Sequence, residues 1–265
     1  MTLVGSPAAE VQLAVIVPTL QRRPEYLARA LESAIDCAPR QIVVISTQKP
    51  LDPVVADLSK RCTWIVSSSN LPASINEAVR KLDPEITHFS WIGDDDMLSP
   101  AEFRQVIENI APGFLLIAWC NYIDGRGRRL WTQKPTAWRL WPLVLSLVSS
   151  PVAQPSTIIS RKAFDSIGGI DASFPLAFDQ DLLTRLISSF GRPRIVRQAT
   201  SSYRVHGETL SEQNWQQQLT ESAAIRLKNA PAPMRWLVFT IDKYRAWGNS
   251  IKRSKVHSEV GSKAV

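Results

Sequence analysis

The sequence predicts an α/β protein built on a doubly wound, mostly parallel sheet with helices on both faces. Continuous apolar and β-branched runs of strand length, such as residues 13–17 (LAVIV), alternate with segments of helical periodicity. Four strand and helix alternations fit into about the first hundred residues, a pattern that builds parallel sheets through right-handed crossovers. With 265 residues, the chain can bury a full core as one large domain or as one domain with an appendage.

Each element of the first half is predicted from its own pattern. Strands are predicted at 13–17, 42–45, 63–66, 87–92 and 114–122, and helices at 24–35, 52–58, 74–82 and 103–110. Pro24 suits the first turn of its helix, whose apolar residues recur three and four apart. The turn sequence of residues 124–127 (DGRG) predicts a hairpin that ends with residues 129–133.

The second half is predicted to be less regular. Its elements are a strand at 157–160, helices at 162–167 and 182–190, extended pieces at 195–196 and 202–205, and helices at 211–228 and 234–251. The apolar stretch 138–152 fits a core helix, a covering lid, or a surface that meets a lipid or an acceptor. The chain is therefore divided into a domain of residues 1–210 and a helical, basic tail of residues 211–265.

The positive charge of the chain is concentrated in this tail. The chain has 31 Lys and Arg against 24 Asp and Glu, a net charge of +7, and residues 228–263 contribute eight basic and two acidic residues, or +6 of it. The nearly neutral body argues against nucleic acid as a partner. The isolated Cys37, Cys62 and Cys120 predict buried free thiols in a reducing compartment. Because no signal peptide and no run of about 18 apolar residues is present, we expect a cytoplasmic protein.

Three adjacent carboxylates follow a predicted buried strand in residues 88–100 (HFSWIGDDDMLSP). Asp94, Asp95 and Asp96 come directly after Gly93, at the carboxyl end of a strand, where ligands bind in open α/β sheets. Adjacent carboxylates repel one another unless a cation is present, and hard oxygen ligands suit Mg²⁺ or Mn²⁺. The alternative interpretation is a solvated acidic turn that caps the next helix, with Ser99 and Pro100 in the capping positions.

A second acidic pair and one histidine complete the candidate site. Asp179 and Asp181 lie at the start of a predicted helix, where the helix dipole favours carboxylates, so simple capping is the alternative role. His206 follows a short extended piece and precedes Gly207, where its imidazole is available as a ligand. Neither GxGxxG after the first strand nor GxxxxGK[ST] occurs, which argues against a dinucleotide or P-loop site.

Five segments, in this order, resemble motifs of the inverting nucleotide-sugar glycosyltransferases of family 2, which have the GT-A fold. They are AVIVPT with RPEYLARALESAI, SWIGDDDMLSP, QPSTIISRKAFDSIGGID, FDQDLLTRL and YRVHGETLS, and the resemblance covers residues 13–211. It implies a nucleotide-sugar half at about 12–122 and an acceptor half at about 123–210. The implied activity is hexosyl or deoxyhexosyl transfer to a saccharide or lipid-linked acceptor in the synthesis of a cell-surface polysaccharide or glycolipid.

The resemblance also implies a role for each matching residue. Asp95 would coordinate Mn²⁺ or Mg²⁺ at the donor diphosphate, with Asp94, Asp96 and His206 as further contacts. Asp179 would be the catalytic base, and Asp181 would orient the loop or the acceptor. The implied donor-binding residues are Pro18, Thr19, Arg22, Asn70, Asn76, Asp94 and Asp96.

The sequence departs from the family pattern at three places. Gly93 replaces the first acid of the metal motif, residues 46–48 (STQ) replace an aspartate that reads the nucleotide base, and no arginine precedes Asn70. The base, the sugar and the acceptor therefore stay open. A nucleotidyltransferase would be expected to show a glycine-rich basic loop after the first strand, and a non-catalytic sugar-nucleotide or carbohydrate-binding module would bind without turnover.

The tail suggests where the protein works. Residues 234–251 combine aromatic and basic side chains, a composition typical of interfacial helices, although packing against the body explains it equally well. Each Lys or Arg near an anionic surface contributes on the order of 1 kcal/mol. The sequence therefore predicts a peripheral protein on the cytoplasmic face of an anionic membrane.

Overall fold

A computed structural model describes residues 11–109, 113–135, 152–206, 214–230, 232–236 and 238–241. The stretch 138–152, apart from Val152, and the tail beyond residue 241 lie outside these ranges, so the predictions made for them stay predictions. Within the described ranges, no helix has the length and apolar character needed to cross a membrane.

Nine strands and seven α-helices lie wholly within the described residues. The strands are β1 (Leu13–Thr19), β2 (Gln41–Ser46), β3 (Thr63–Val66), β4 (His88–Trp91), β5 (Met97–Leu98), β6 (Leu115–Ile123), β7 (Arg129–Gln133), β8 (Thr157–Ser160) and β9 (Arg194–Arg204). The helices are α1 (Pro24–Asp36), α2 (Pro53–Ser59), α3 (Leu71–Arg80), α4 (Pro100–Glu108), α5 (Arg161–Ser166), α6 (Phe178–Phe190) and α7 (Trp215–Asn229). Two short 3₁₀ turns are Gln154–Ser156 and Ala232–Met234.

The strands form one mixed sheet in the order β3-β2-β1-β4-β8-β6-β9-β5, with β7 paired to β6. Strands β3, β2, β1 and β4 are all parallel, as the alternation of strands and helices predicts. Beyond β4 the pairing changes, because β8 lies antiparallel to both β4 and β6, whereas β6 and β9 are parallel. The parallel character therefore belongs mainly to the first half of the chain.

Helices cover both faces of the sheet, and β1 shows why. Ala14 and Ile16 point into one apolar cluster, which also contains buried residues of α3 and α6. Leu13, Val15 and Val17 point into a second cluster on the other face, which contains buried residues of α1 and α4. Because side chains alternate along a strand, a continuous apolar run supplies both cores at once.

Several boundaries differ from the sequence-based expectation. Helix α6 begins at Phe178, four residues earlier than predicted, so both candidate acids lie in its first turn. The two predicted extended pieces near residue 200 are one strand, β9, of 11 residues. The two-residue strand β5 was not predicted, because its order comes from antiparallel pairing with β9 rather than from a local pattern.

The start of the predicted tail packs on the body. Helix α7 buries Ile225 and Arg226, and Glu221 Oε2 accepts hydrogen bonds of 2.9 Å from the backbone N–H groups of Leu176 and Ala177. Helix α7 thereby holds the loop that leads into α6.

Candidate active site

The carboxyl ends of the parallel strands open into a cavity of about 790 Å³. Residues that follow or end β1, β2 and β4 line one side of it, among them Thr19, Thr47 and Asp94. The segment from Pro175 to Gln180 and α7 also line the cavity. A cavity at this place is what a sheet of this topology predicts for a ligand site.

The acidic turn after β4 is closed by its own third carboxylate. Asp96 is buried, and its two oxygens accept hydrogen bonds from the backbone N–H groups of Gly93 (3.3 Å) and Arg204 (3.0 Å). Burial, followed by the negative charge of Asp95, raises the pKa of Asp96 well above its usual value. Asp96 was predicted as a metal ligand, but in the structure its carboxylate joins the turn to β9.

A buried arginine fixes the same turn from the other side. Arg204 is 1% exposed, and its guanidinium donates to the backbone oxygens of Asp95 (2.8 Å), Asp124 (3.1 Å) and Gly125 (3.2 Å). Its Cζ lies 4.4 Å from the ring centroid of Tyr26, a cation–π contact. These contacts tie the turn, the β6–β7 hairpin and α1 together.

Gly93, where the resemblance would lead one to expect an acid, leaves room for the carboxylates that follow it. A Cβ atom at this position would lie 2.7 Å from Asp95 Oδ1 and 3.1 Å from Asp96 Oδ2. The carboxylates therefore occupy the space that a side chain would need. The observed position of the Asp95 carboxylate therefore depends on the absence of a side chain at residue 93.

Asp95 and His206 lie in direct contact at the edge of the cavity. Asp95 Oδ2 is 2.8 Å from His206 Nε2, and Arg23 Nη1 is 2.8 Å from His206 Nδ1. The neighbouring acid Asp94 instead accepts a hydrogen bond from the hydroxyl of Thr19. Burial is the main cause that raises the pKa of Asp94, and the hydrogen bond from Thr19 opposes it.

Asp95 and His206 are the two side chains of this site that could hold a divalent cation. The Asp95 carboxylate oxygen and the His206 imidazole nitrogen lie 2.8 Å apart, in a hydrogen bond that a bound cation would replace. Carboxylate oxygens are ligands that suit Mg²⁺ and Mn²⁺. Among the described residues, no group of three or more His, Cys, Asp or Glu side chains is arranged to hold a metal. Asp95 and His206 would therefore supply two ligands, and substrate phosphates and water would complete the coordination, as is usual for Mg²⁺.

Asp179 lines the same cavity and lies in the first turn of α6. Its Oδ1 accepts a hydrogen bond of 2.8 Å from the backbone N–H of Gln180, and apolar neighbours that include Leu176 and Phe178 line the same wall. Desolvation raises the pKa of Asp179, and the hydrogen bond from Gln180 opposes this shift. A carboxylate with a raised pKa is a better proton acceptor than an exposed aspartate.

Asp181 does not line the cavity. Its side chain is fully buried, and Oδ2 accepts from Arg185 Nε at 2.7 Å. Arg185 in turn donates to the backbone oxygens of Ile167 and Gly169. Asp181 therefore contacts Arg185 and, through it, the turn before α6. The predicted contact between Asp181 and the acceptor is not what the structure shows.

Some of the predicted donor-binding residues line the cavity, and one does not. Pro18, Thr19, Arg22 and Asn70 line the cavity, and Asn70 also caps α3 by accepting from Ala73 N–H at 3.0 Å. Asn76 is not among the lining residues, because its amide group bonds both the N–H and the C=O of Ile170. The structure thus replaces the donor contact expected of Asn76 with a structural role.

Sequence reasoning missed several residues of the cavity. Arg23, Tyr122, Gln154 and Tyr203 line it, and Gln154 Nε2 donates to Trp91 O at 2.6 Å. Gln154 opens, and Tyr203 lies in, two of the segments that carry the family resemblance, so their motifs were a usable signal. Tyr122 had none, because its position depends on how β6 pairs with β9.

The fold is of the GT-A type, and solved structures share it. The S. aureus TarS 1-349 structure in complex with UDP-GlcNAc matches with a TM-score of 0.59 and 17% identity, over 87% of this chain and 70% of that chain. The mannosyltransferase PcManGT from Pyrobaculum calidifontis, in complex with GDP-Man and Mn²⁺, matches with a TM-score of 0.59 and 14% identity, over 87% and 68%.

Sequence comparisons add no relative to these structures. No family model matches the chain. No curated protein matches it at a significant level. The structural similarity therefore rests on the fold.

Proposed function

We propose that this protein is a metal-dependent, inverting glycosyltransferase of family 2. It transfers a hexosyl or deoxyhexosyl group from a nucleotide-diphosphate donor to a hydroxyl group of a saccharide or lipid-linked acceptor. The observation that carries the proposal is that one cavity holds Asp95 and His206 at the strand ends and Asp179 at the start of α6. A sugar transfer needs these two functions, charge neutralisation and proton acceptance, on either side of a sugar.

The donor side of the cavity suits a nucleotide diphosphate. Arg22 and Arg23 supply positive charge beside the acidic turn, and Ser46, Thr47 and Ser69 supply hydroxyl groups along the strand ends. The fold is shared with proteins whose structures contain UDP-GlcNAc or GDP-Man. This likeness supports a sugar nucleotide as the donor and leaves its base and sugar to experiment.

Asp95 and His206 are the residues that would hold the divalent cation. When bound there, a divalent ion neutralises the negative charge that develops on the leaving diphosphate. Asp94 and Asp96 keep the turn in place through Thr19 and the backbone of Gly93 and Arg204.

Asp179 is the base. The acceptor hydroxyl has a very high pKa, so its proton is removed late, as the oxygen attacks the anomeric carbon. The carboxylate of Asp179 accepts that proton as the bond to the anomeric carbon forms. A single displacement of the diphosphate by the acceptor oxygen inverts the anomeric configuration.

We also propose where the activity belongs. The acceptor would serve a cell-surface polysaccharide or glycolipid, and the basic tail would hold the enzyme on the cytoplasmic face of an anionic membrane. Residues 228–263 carry the charge that supports this placement.

Ligand-dependent thermal stability tests the donor site. Wild type, Asp95→Ala and Asp94→Ala are heated with a panel of nucleotide diphosphates and sugar nucleotides, in the presence of Mn²⁺, Mg²⁺ or EDTA. A ligand at a hundred times its Kd adds about 2.7 kcal/mol of stability. We expect one nucleotide to stabilise the wild type only with metal, and Asp95→Ala to lose that gain.

Two results would contradict the proposal. No stabilisation by any nucleotide would remove the donor site. Binding without turnover by the wild type, given a full acceptor panel, would identify a binding module instead.

A further inference from the structure

An aromatic row leads from the cavity to the surface across three strands. Tyr203 on β9 pairs with Tyr122 on β6, and Tyr122 pairs with Trp131 on β7. The ring centroids of Tyr203 and Tyr122 are 5.2 Å apart, and those of Tyr122 and Trp131 are 4.5 Å apart with an interplanar angle of 17°. The three rings are therefore in contact on one face of the sheet.

The inner end of this row belongs to the candidate active site. Tyr122 and Tyr203 line the cavity together with Asp95 and Asp179. Burial, followed by the nearby Cys120, Asp96 and Asp179, raises the pKa of Tyr122 to about 12. Tyr122 is therefore a neutral hydroxyl beside the groups assigned to the chemistry.

The outer end of the row is open. Trp131 does not line the cavity and is 51% exposed. Because one face of its indole stacks on Tyr122, the accessible surface lies on the other face and at the ring edges. Leu130, the residue before it, has no partner on β6, since Tyr122 pairs with Trp131 while Ile123 pairs with Arg129. Such β-bulges are common next to active sites, where they redirect a side chain.

We propose that Trp131 is an acceptor subsite, which binds a sugar unit of the acceptor beyond the one that reacts. The proposal rests on the proposed function. The C–H groups on the apolar face of a pyranose carry partial positive charge, and an indole face carries the complementary negative charge. Tyr122 and Tyr203 continue the row of rings into the cavity, so an acceptor of several sugars that follows the row reaches from Trp131 towards Asp179.

This placement defines the class of acceptor. The acceptor is an oligosaccharide or an oligosaccharide-bearing lipid with at least two sugar units, because a single unit in the cavity leaves Trp131 uncovered. Among the described residues β7 pairs only with β6, so the rest of the glycan can leave along the other edge of β7.

The test uses the full chain with the nucleotide that stabilises it, on an array of defined mono- to hexasaccharides. The variants are Trp131→Ala and Trp131→Phe, with Trp236→Ala as the matched control, since Trp236 is also exposed (67%) and lies on a different segment. We expect Trp131→Ala to lower oligosaccharide affinity about tenfold, or about 1.4 kcal/mol. Trp131→Phe should keep most of the oligosaccharide affinity, and Trp236→Ala should keep all of it. The affinities of the variants for monosaccharides and for the nucleotide should equal those of the wild type.

The outcomes separate this inference from the proposed function. Unchanged oligosaccharide binding by Trp131→Ala, with nucleotide binding intact, overturns the subsite and leaves the transferase standing. If the wild type binds none of the oligosaccharides, the subsite is overturned as well. If Trp131 is instead needed for binding to phosphatidylglycerol vesicles, the surface is a membrane contact. Loss of nucleotide stabilisation in every protein, the wild type included, rejects the proposed function itself.

Discussion

Replacing Gly93 by alanine is expected to weaken metal-dependent nucleotide binding while the protein stays folded. The added Cβ would lie 2.7 Å from Asp95 Oδ1, and ordinary contact begins at 3.4 Å, so the carboxylate has to retreat by about 0.7 Å. Because Oδ1 and Oδ2 belong to one carboxylate, this shift disrupts the 2.8 Å hydrogen bond between Asp95 Oδ2 and His206 Nε2.

The expected magnitude follows from that lost contact. A hydrogen bond to a charged group contributes about 1.5–3 kcal/mol. The affinity for nucleotide in the presence of Mn²⁺ should therefore fall about 10- to 100-fold. The atoms in the way are the ends of side chains, so the free energy of unfolding should fall by about 1 kcal/mol or less.

Titration calorimetry with the nucleotide and Mn²⁺ measures the affinity, and denaturant unfolding measures the stability. Gly113→Ala is the matched control, because a Cβ there meets nothing within 4 Å. It should bind nucleotide as the wild type does. Wild-type affinity in Gly93→Ala would refute the reasoning, since Asp95 would then not depend on the space above Gly93.

The remaining predictions concern the base, the turn before α6 and the tail. Asp179→Asn should abolish transfer and keep nucleotide binding. Because the pKa of Asp179 is raised, kcat/KM should rise with pH through a value above the usual aspartate range; a pH profile governed by an unshifted aspartate would contradict this. Because the pKa of Asp179 is raised in the folded state, the folded protein loses stability as the pH rises through that pKa. Asp179→Asn removes this cost, so its free energy of unfolding at neutral pH should be higher than that of the wild type in denaturant unfolding. Gly169→Ala should destabilise more than Gly168→Ala, by about 1–3 kcal/mol. Both glycines have positive φ (73° and 79°), but only at Gly169 would a Cβ meet Asn76 Oδ1, at 2.8 Å, so equal losses would exclude the steric cause. Truncation after Pro233 should lower co-sedimentation with anionic vesicles and leave transfer intact, and salt-insensitive binding by the full chain would argue against an electrostatic attachment.

The sequence predicted the first half of the fold well because its signals are local. Residues 13–17 are apolar on both faces, and such a run is stable as a buried parallel strand in almost any context. Strand β9 was harder, because residues 197–202 (RQATSS) are polar and become ordered through pairing with β6 and β5. Pairing with strands that are distant in the sequence cannot be predicted from the local residue pattern.

The same limit applies to the candidate site. The motif around Asp95 placed three acids at a strand end, but their separate contacts with His206, Thr19 and backbone N–H groups depend on residues far along the chain. Asp179 and Asp181 are two positions apart on one helix, so their side chains point in different directions, and only one can face a cavity. Spacing alone does not say which.

The contact between α7 and the loop before α6 has a practical consequence for fragment design. Glu221 anchors the N–H groups of Leu176 and Ala177, three and two residues before Asp179, and the Ser222 hydroxyl donates to Gln180 Oε1 at 2.8 Å. A fragment that stops where the resemblance to family 2 ends, near residue 211, loses this anchor. The shortest piece worth expressing for activity therefore runs through Asn229, the last residue of α7.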